Sequence, residues 1–168
     1  MDGEGRETAA THLTEPPGPG AADRIGDFLR DAPPVGATGH RIVHGGAHLL
    51  RAAVVDDVRA ELDGAAELAP LHVPPALVAL DATRAVLPNV PHVVCLDTAF
   101  HSDLPSAARA YALPRARTER HRLRRYGFHG LSYAWALRRA AELLSRTTDS
   151  LHVVLAHLEG GCSPRGPG

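Results

Sequence analysis

The sequence predicts an α/β fold, because short apolar runs of the kind that form buried strands alternate with segments of helical periodicity. Residues 92–96 (HVVCL) form one such run and residues 153–156 (VVLA) form a second. Between them, apolar side chains recur at helical spacing over residues 131–145. Asp97 directly follows the first run, at the strand end where an open α/β sheet places its ligands.

The other elements are predicted from local patterns along the chain. Helices are expected over residues 21–32, 54–68, 75–87 and 131–145, and a short strand over residues 41–43. Prolines mark residues 70–75 and the stretch from 97 to 114 as loops. Residues 1–20 are rich in Gly, Pro, Thr and Glu, which predicts a disordered lead. The chain then divides into this lead, a domain over residues 21–163 and an unstructured tail over residues 164–168.

Composition excludes several classes of protein. All 18 cationic residues are arginine, so a Walker-type phosphate loop and a lysine Schiff base are both excluded. The net charge of −1 favours neither nucleic acid nor a membrane surface as a partner. No apolar run approaches the roughly 18 residues that a membrane span needs. Two cysteines are too few for a disulfide framework, and a cytoplasmic location is expected.

Arg41 lies in the first of four polar motifs, residues 39–46. Its guanidinium can bind a carboxylate or a phosphate, or it can form an ordinary surface ion pair. His40, His44 and His48 have the spacing of a helical metal site, but glycines between the last two break a helix. A histidine-rich metal protein is therefore one alternative, since the chain has 11 histidines.

Asp97 opens the second motif, residues 97–101, and could hold Mg²⁺, accept a proton or cap the following turn. His129 lies between glycines in the third motif, residues 124–130, as a ligand-binding or helix-capping side chain. The basic stretch 115–125 is interpreted as solvated or phosphate-facing rather than as a nucleic-acid site. In the fourth motif, residues 157–163, glycines after a strand would let backbone N–H groups approach a phosphate.

Taken in order, these segments resemble the acetate kinase family over residues 21–163. The matching segments are GHRIVHGG (39–46), APLHVPP (69–75), LDTAFH (96–101), YALP (111–114), RRYGFHG (124–130) and HLEGG (157–161). The resemblance implies a partial ribonuclease-H-like (actin-like ATPase) domain, truncated at both ends. It also implies reversible transfer of the ATP γ-phosphoryl group to acetate or propionate, with Mg²⁺, in a family whose full-length members are homodimers.

The resemblance also implies roles for individual residues. Arg41, Asp97 and His129 would be catalytic: Arg41 would bind the carboxylate or the phosphoryl group, Asp97 would hold Mg²⁺ or orient the acetate, and His129 would stabilise the phosphoryl group during transfer. The other implied residues bind substrate or nucleotide. They are Val43, Leu71 and Phe128 around the methyl group, His72 near the active site, and His157, Gly160 and Gly161 against the ATP phosphates.

The sequence departs from the family where the nucleotide should bind. Nothing in residues 1–39 matches the family's opening phosphate turn, and Glu159 and Gly160 replace a glycine and an asparagine of its later loop. Val73, Leu131 and Tyr133 stand where the family prefers Asn, Thr and His. We therefore expect the isolated chain to be inactive and marginally stable, with exposed sheet edges. A non-catalytic remnant or binding module derived from an acetate kinase is the alternative.

Overall fold

The computed structural model describes residues 7–12, 16–158 and 162–165, the last range by its backbone only. Gly160 and Gly161 of the predicted phosphate loop lie outside the described residues. The helices are α1 (Ala21–Leu29), α2 (Val55–Ala65), α3 (Val73–Val86), α4 (Ser106–Arg109), α5 (Arg115–His121) and α6 (Gly130–Leu143). The strands are β1 (Thr38–Ile42), β2 (Ala53–Val54), β3 (His92–Leu96), β4 (Leu155–Leu158) and β5 (Cys162–Arg165). Short 3₁₀ turns cover Ala66–Leu68, Asp97–His101 and Thr148–Ser150.

A three-stranded sheet of order β1-β3-β2 is the centre of the fold. Strands β1 and β3 are parallel, with Arg41 opposite Cys95 and Ile42 opposite Leu96, whereas β2 pairs antiparallel to β3. Parallel strands bring their carboxyl ends to one edge of a sheet. The residues that follow Ile42 and Leu96 therefore lie side by side, and this edge carries the polar motifs.

The hydrophobic core lies between this sheet and helices α2 and α3. Alternate residues of β3 are buried on one face, as the pleat of a strand requires. The largest fully buried apolar side chains of this core, among the described residues, are Ile42, Val55, Leu62, Val73, Leu80, Val94 and Leu96. Helix α1 packs on α3. Between α2 and α3, Arg59 forms an ion pair with Asp81 and Arg84 forms one with Asp56. These pairs are exposed and contribute little to stability.

The predicted α/β class is confirmed, although several elements differ in extent. Helix α3 begins at Val73 rather than Pro75, since prolines fit the first helical turn, where N–H groups have no intrahelical partner. The predicted 97–114 loop contains a 3₁₀ turn and helix α4.

The buried strand predicted over residues 153–156 is wrong. Strand β4 lies later, over Leu155–Leu158, and pairs with β5 in a separate hairpin. Val154 is 70% exposed, so an apolar run here does not enter the core. Strand β5 includes the first residues of the predicted unstructured tail. Among the described residues, no helix combines the length and the apolar character needed to cross a membrane.

Candidate functional site

An ion pair between Arg41 and Asp97 lies at the carboxyl-end edge of the sheet. The Arg41 Nε and Nη2 atoms donate to Asp97 Oδ2 at 3.1 and 2.6 Å. The Asp97 side chain is 2% exposed, whereas the Arg41 side chain is 59% exposed. A buried carboxylate requires such a partner, and the exposed guanidinium leaves a cation facing solvent beside it.

The second oxygen of Asp97 contacts the beginning of helix α6. The Leu131 N–H donates to Asp97 Oδ1 at 3.4 Å, and the positive end of the helix dipole favours a carboxylate there. Gly130 permits this approach, because a Cβ at that position would lie 2.0 Å from the Asp97 carbonyl oxygen. Asp97 thus connects β3, β1 through Arg41, and α6.

His129 immediately precedes α6 in a left-handed conformation, with φ of 58°, which is uncommon for a residue other than glycine. Its ring stacks on that of His157, with centroids 4.0 Å apart and planes at 16°. His157 Nδ1 lies 3.3 Å from Ser132 Oγ. In the described part of the chain, His129 Nδ1 is buried and has no hydrogen-bond partner. A buried polar atom of this kind is costly unless a water molecule or a ligand satisfies it.

The turn after β1 is attached to the same edge. The Gly45 N–H donates to Thr98 Oγ1 at 3.1 Å, and the Gly46 N–H donates to His44 Nδ1 at 2.9 Å. The buried His44 ring packs on Tyr126, with centroids 4.5 Å apart. Burial lowers the pKa of His44, which favours the neutral ring whose Nδ1 can accept that hydrogen bond.

His101 ends the 3₁₀ turn that begins with Asp97, and it contacts the 124–130 motif. Its Nε2 lies 2.8 Å from the Phe128 carbonyl oxygen. A carbonyl can only accept, so His101 Nε2 carries the hydrogen. His101 is 5% exposed. The 3₁₀ turn therefore contacts both β1 and the segment that carries His129.

The structure brings some of the sequence-predicted residues together and leaves others apart. Arg41 and Asp97 are in contact, and His129 and His157 are in contact. Val43 is half-buried and Phe128 is 40% exposed, while Leu71 is 84% exposed and His72 is exposed before α3. The described residues therefore do not close a pocket over Leu71. A cavity of about 330 Å³ lies at the opposite end of the sheet, beside Arg84 and His92.

Metal-binding capacity at this edge rests on Asp97. Within the ranges the structure describes, no group of three or more His, Cys, Asp or Glu side chains could hold a metal ion. His40, His44 and His48 therefore do not form the cluster considered from their spacing. Mg²⁺ is commonly held by one or two carboxylates together with substrate phosphates, and a single Asp97 fits that donor set.

Thr98 and His101 lie in the site without a role assigned from the sequence. Both are 5% exposed, and both bond to the backbone of a neighbouring motif. The sequence does indicate their importance, because both belong to the segment 96–101 on which the family resemblance rests. Nothing local to that segment indicates which distant carbonyl or amide they contact.

Comparisons with known proteins identify the family of this chain. The sequence matches the Acetokinase family over residues 24–164. Acetate kinase from Alkaliphilus metalliredigens is 45% identical over 130 residues, covering 77% of this chain and 33% of that protein. Acetate kinase from Clavibacter michiganensis is 45% identical over 139 residues, covering 82% and 35%.

Solved structures show the same relationship. The Porphyromonas gingivalis acetate kinase structure matches with a TM-score of 0.78 and 34% identity, covering 86% of this chain and 38% of that one. A propionate kinase from Francisella tularensis matches with a TM-score of 0.78 and 33% identity, at the same coverage. These relatives are acetate and propionate kinases, so the chain is related to kinases. The chain itself belongs to the Acetokinase family, and it spans about a third of the length of these curated relatives.

Proposed function

We propose that this chain supplies the carboxylate-binding side of an acetate kinase-type active site. The reaction is the reversible transfer of the ATP γ-phosphoryl group to acetate or propionate, giving an acyl phosphate and ADP in the cytoplasm. The observation that carries the proposal is the junction of Arg41, Asp97 and the start of α6 at one sheet edge. Family membership supports the kinase assignment.

The residue types at this edge suit phosphoryl transfer between two anions. A carboxylate oxygen of acetate attacks the γ-phosphorus in line, an oxygen–phosphorus bond forms, and the bond from that phosphorus to the ADP oxygen breaks. Acetate is already an anion, so no general base is needed. Arg41 reduces the repulsion between acetate and the phosphoryl group, and His129 donates to the phosphoryl oxygens as they gain charge.

Asp97 is the residue that would hold Mg²⁺ in this proposal. Mg²⁺ bound there would neutralise charge on the phosphate oxygens. Both Asp97 oxygens accept hydrogen bonds, from Arg41 and from Leu131. Because Arg41 is largely exposed, its guanidinium can turn toward a bound anion and release an oxygen of Asp97.

Val43, Leu71 and Phe128 form the apolar side of the proposed acetate site. A methyl pocket built from such side chains discriminates acetate from propionate by only about 1–3 kcal/mol for the extra methylene, so we propose activity toward both acids. His72 lies at the beginning of α3 near Leu71 in sequence. His157, Gly160 and Gly161 are proposed to contact the ATP phosphates.

The test separates binding from turnover. We expect the purified 168-residue chain to bind acetyl phosphate, seen as saturable changes in its ¹H–¹⁵N NMR spectrum, and to form no acetyl phosphate from acetate and Mg-ATP. Arg41→Met should abolish binding. Arg139→Met is the matched control, because Arg139 is an exposed arginine paired with Glu142 on α6. Absence of binding by the wild-type chain, or equal losses in both variants, would contradict the proposal.

A non-catalytic binding module is the second candidate, and the replacement of the family's loop glycine and asparagine by Glu159 and Gly160 favours it. Mixing the chain with the complementary portion of an acetate kinase relative distinguishes the two. Acetyl phosphate formation in the mixture supports the proposal that this chain contributes part of a kinase active site. Acetyl phosphate binding without turnover in the mixture supports the binding module. Sequencing the flanking DNA for that portion provides an independent check.

A further inference from the structure

We propose that His101 is a positioning residue for His129. Its imidazole fixes the turn that carries His129 to the 3₁₀ turn that begins with Asp97. The inference rests on the proposed function for its purpose, since it explains how Asp97 and His129, two of the three proposed catalytic side chains, keep a fixed relative position. Its physical content is a hydrogen bond and a close packing contact.

The hydrogen bond from His101 Nε2 reaches the residue directly before His129. The Phe128 carbonyl oxygen accepts it at 2.8 Å, and His101 is 5% exposed. A buried hydrogen bond is costly to break, because the carbonyl then loses its partner without gaining water. The backbone of Phe128 is thereby held against the 3₁₀ turn.

Glycine at 127 lets the backbone lie directly on the His101 ring. A Cβ at Gly127 would lie 2.5 Å from His101 Cγ and 2.6 Å from Cδ2. The φ of Gly127 is +80°, which also disfavours any other residue. The ring is therefore both a hydrogen-bond donor to this turn and the surface on which the turn packs.

A second anchor holds the other side of His129. The Leu131 N–H donates to Asp97 Oδ1, and Gly130 packs against the Asp97 carbonyl. One 3₁₀ turn, Asp97–His101, thus holds the residues before and after His129. This explains how His129 keeps a left-handed φ of 58°, which a free turn would relax, and how its ring stays stacked on His157.

The test compares two substitutions of similar size. His101→Gln keeps an N–H donor near the position of Nε2, whereas His101→Met fills the space without a donor. In the full 168-residue chain, we expect the ring-current shifts of the stacked His129 and His157 rings to be retained in the Gln variant and lost in the Met variant. A His129→Gln variant assigns these resonances. The His40 and His92 resonances, at the opposite end of the sheet, report whether the fold is intact.

The inference is overturned if the Met variant keeps the stacked shifts. It is also overturned if both variants lose them while His40 and His92 are unchanged, because packing alone would then explain the effect. If the Met variant fails to fold, a measurement on the wild type still tests the inference. The ¹⁵N chemical shifts of the His101 ring must show a proton at Nε2, and a ring protonated only at Nδ1 rejects the inference. None of these measurements requires phosphoryl transfer, so a failure of the proposed function remains distinguishable.

Discussion

Asp97 is a carboxylate almost fully removed from water, and among the described residues its one ion-pair partner is Arg41. Because Asp97 is buried and Arg41 is largely exposed, the two residues depend on their ion pair to different degrees. Removing Arg41 leaves a buried anion with only the weak Leu131 contact. Removing the charge of Asp97 leaves a guanidinium that is mostly hydrated already. We therefore expect the stability cost of the two substitutions to differ, although both break the same pair.

Arg41→Met should lower the free energy of unfolding by about 1–3 kcal/mol, the cost of leaving a buried polar group unsatisfied. Asp97→Asn should cost less, since it removes the buried charge. Urea denaturation at pH 7 measures both values. Equal losses would show that Asp97 is better hydrated than its 2% exposed side chain indicates.

The neutral forms of His40 and His44 predict acid sensitivity. Burial, assisted by His92 and Arg84, lowers the pKa of His40, and burial lowers that of His44. The folded chain then binds fewer protons than the unfolded chain. The resulting stability is complete above the ordinary histidine pKa of about 6.5 and is lost as the pH falls through the lowered values.

Urea midpoints between pH 7.5 and pH 5 test this dependence. We expect the midpoint to fall with acid, and His40→Gln should flatten that fall. His121→Gln, at the exposed end of α5, is the control and should leave the slope unchanged. A midpoint that rises on acidification would reverse the predicted sign.

The contact between α6 and the 3₁₀ turn Asp97–His101 depends on the absence of a side chain at one position. A Cβ at Gly130 would meet backbone at 2.0 Å, so one of the two elements must move. Gly130→Ala should therefore destabilise the fold by about 2–4 kcal/mol. Gly64→Ala in α2 meets nothing within 4 Å and should stabilise by about 0.5–1 kcal/mol. Thermal melts of the two variants should shift in opposite directions.

Sequence patterns predicted the central elements better than the peripheral ones. Residues 92–96 were recognised as a strand because a continuous apolar run bounded by polar residues has few other uses. Residues 153–156 carry a similar run, yet β4 begins at Leu155 and pairs outside the central sheet. The two runs differ in their tertiary pairing. Residues 92–96 pair with strand β1, and no local pattern in the sequence encodes that neighbour.

The candidate site shows the same division. The sequence indicates Arg41, Asp97 and His129 by residue type and family resemblance, and the parallel pairing of β1 and β3 explains why the first two meet. The contribution of His101 was not predicted, because it depends on a carbonyl 27 residues away in the chain. The empty space that Gly127 and Gly130 require is likewise a property of packing. Residue types that can bind or react with a ligand can be identified from a sequence, whereas the contacts that position them are found only in the folded structure.

Several large apolar side chains of the whole molecule, within its described residues, are highly exposed. The most exposed are Trp135 at 62%, Leu143 at 69%, Val154 at 70%, Leu158 at 77% and Leu71 at 84%. Trp135 and Leu143 belong to α6, and Leu158 to the β4–β5 hairpin. Where such side chains form a patch on the surface, they favour association with another molecule.

We expect the purified chain to self-associate through these side chains. Its apparent mass in sedimentation should rise with concentration, and it should bind a hydrophobic dye. The double substitution Trp135→Arg and Leu143→Arg should reduce both effects while leaving the free energy of unfolding within about 0.5 kcal/mol of the wild type, because exposed positions contribute little to folding. Val55→Ala, at a buried position of the core, should instead lower the urea midpoint without reducing association.

A wild-type chain that stays monomeric and binds no dye over a hundredfold range of concentration would contradict this prediction. It would mean that these exposed side chains are compatible with an independent fold.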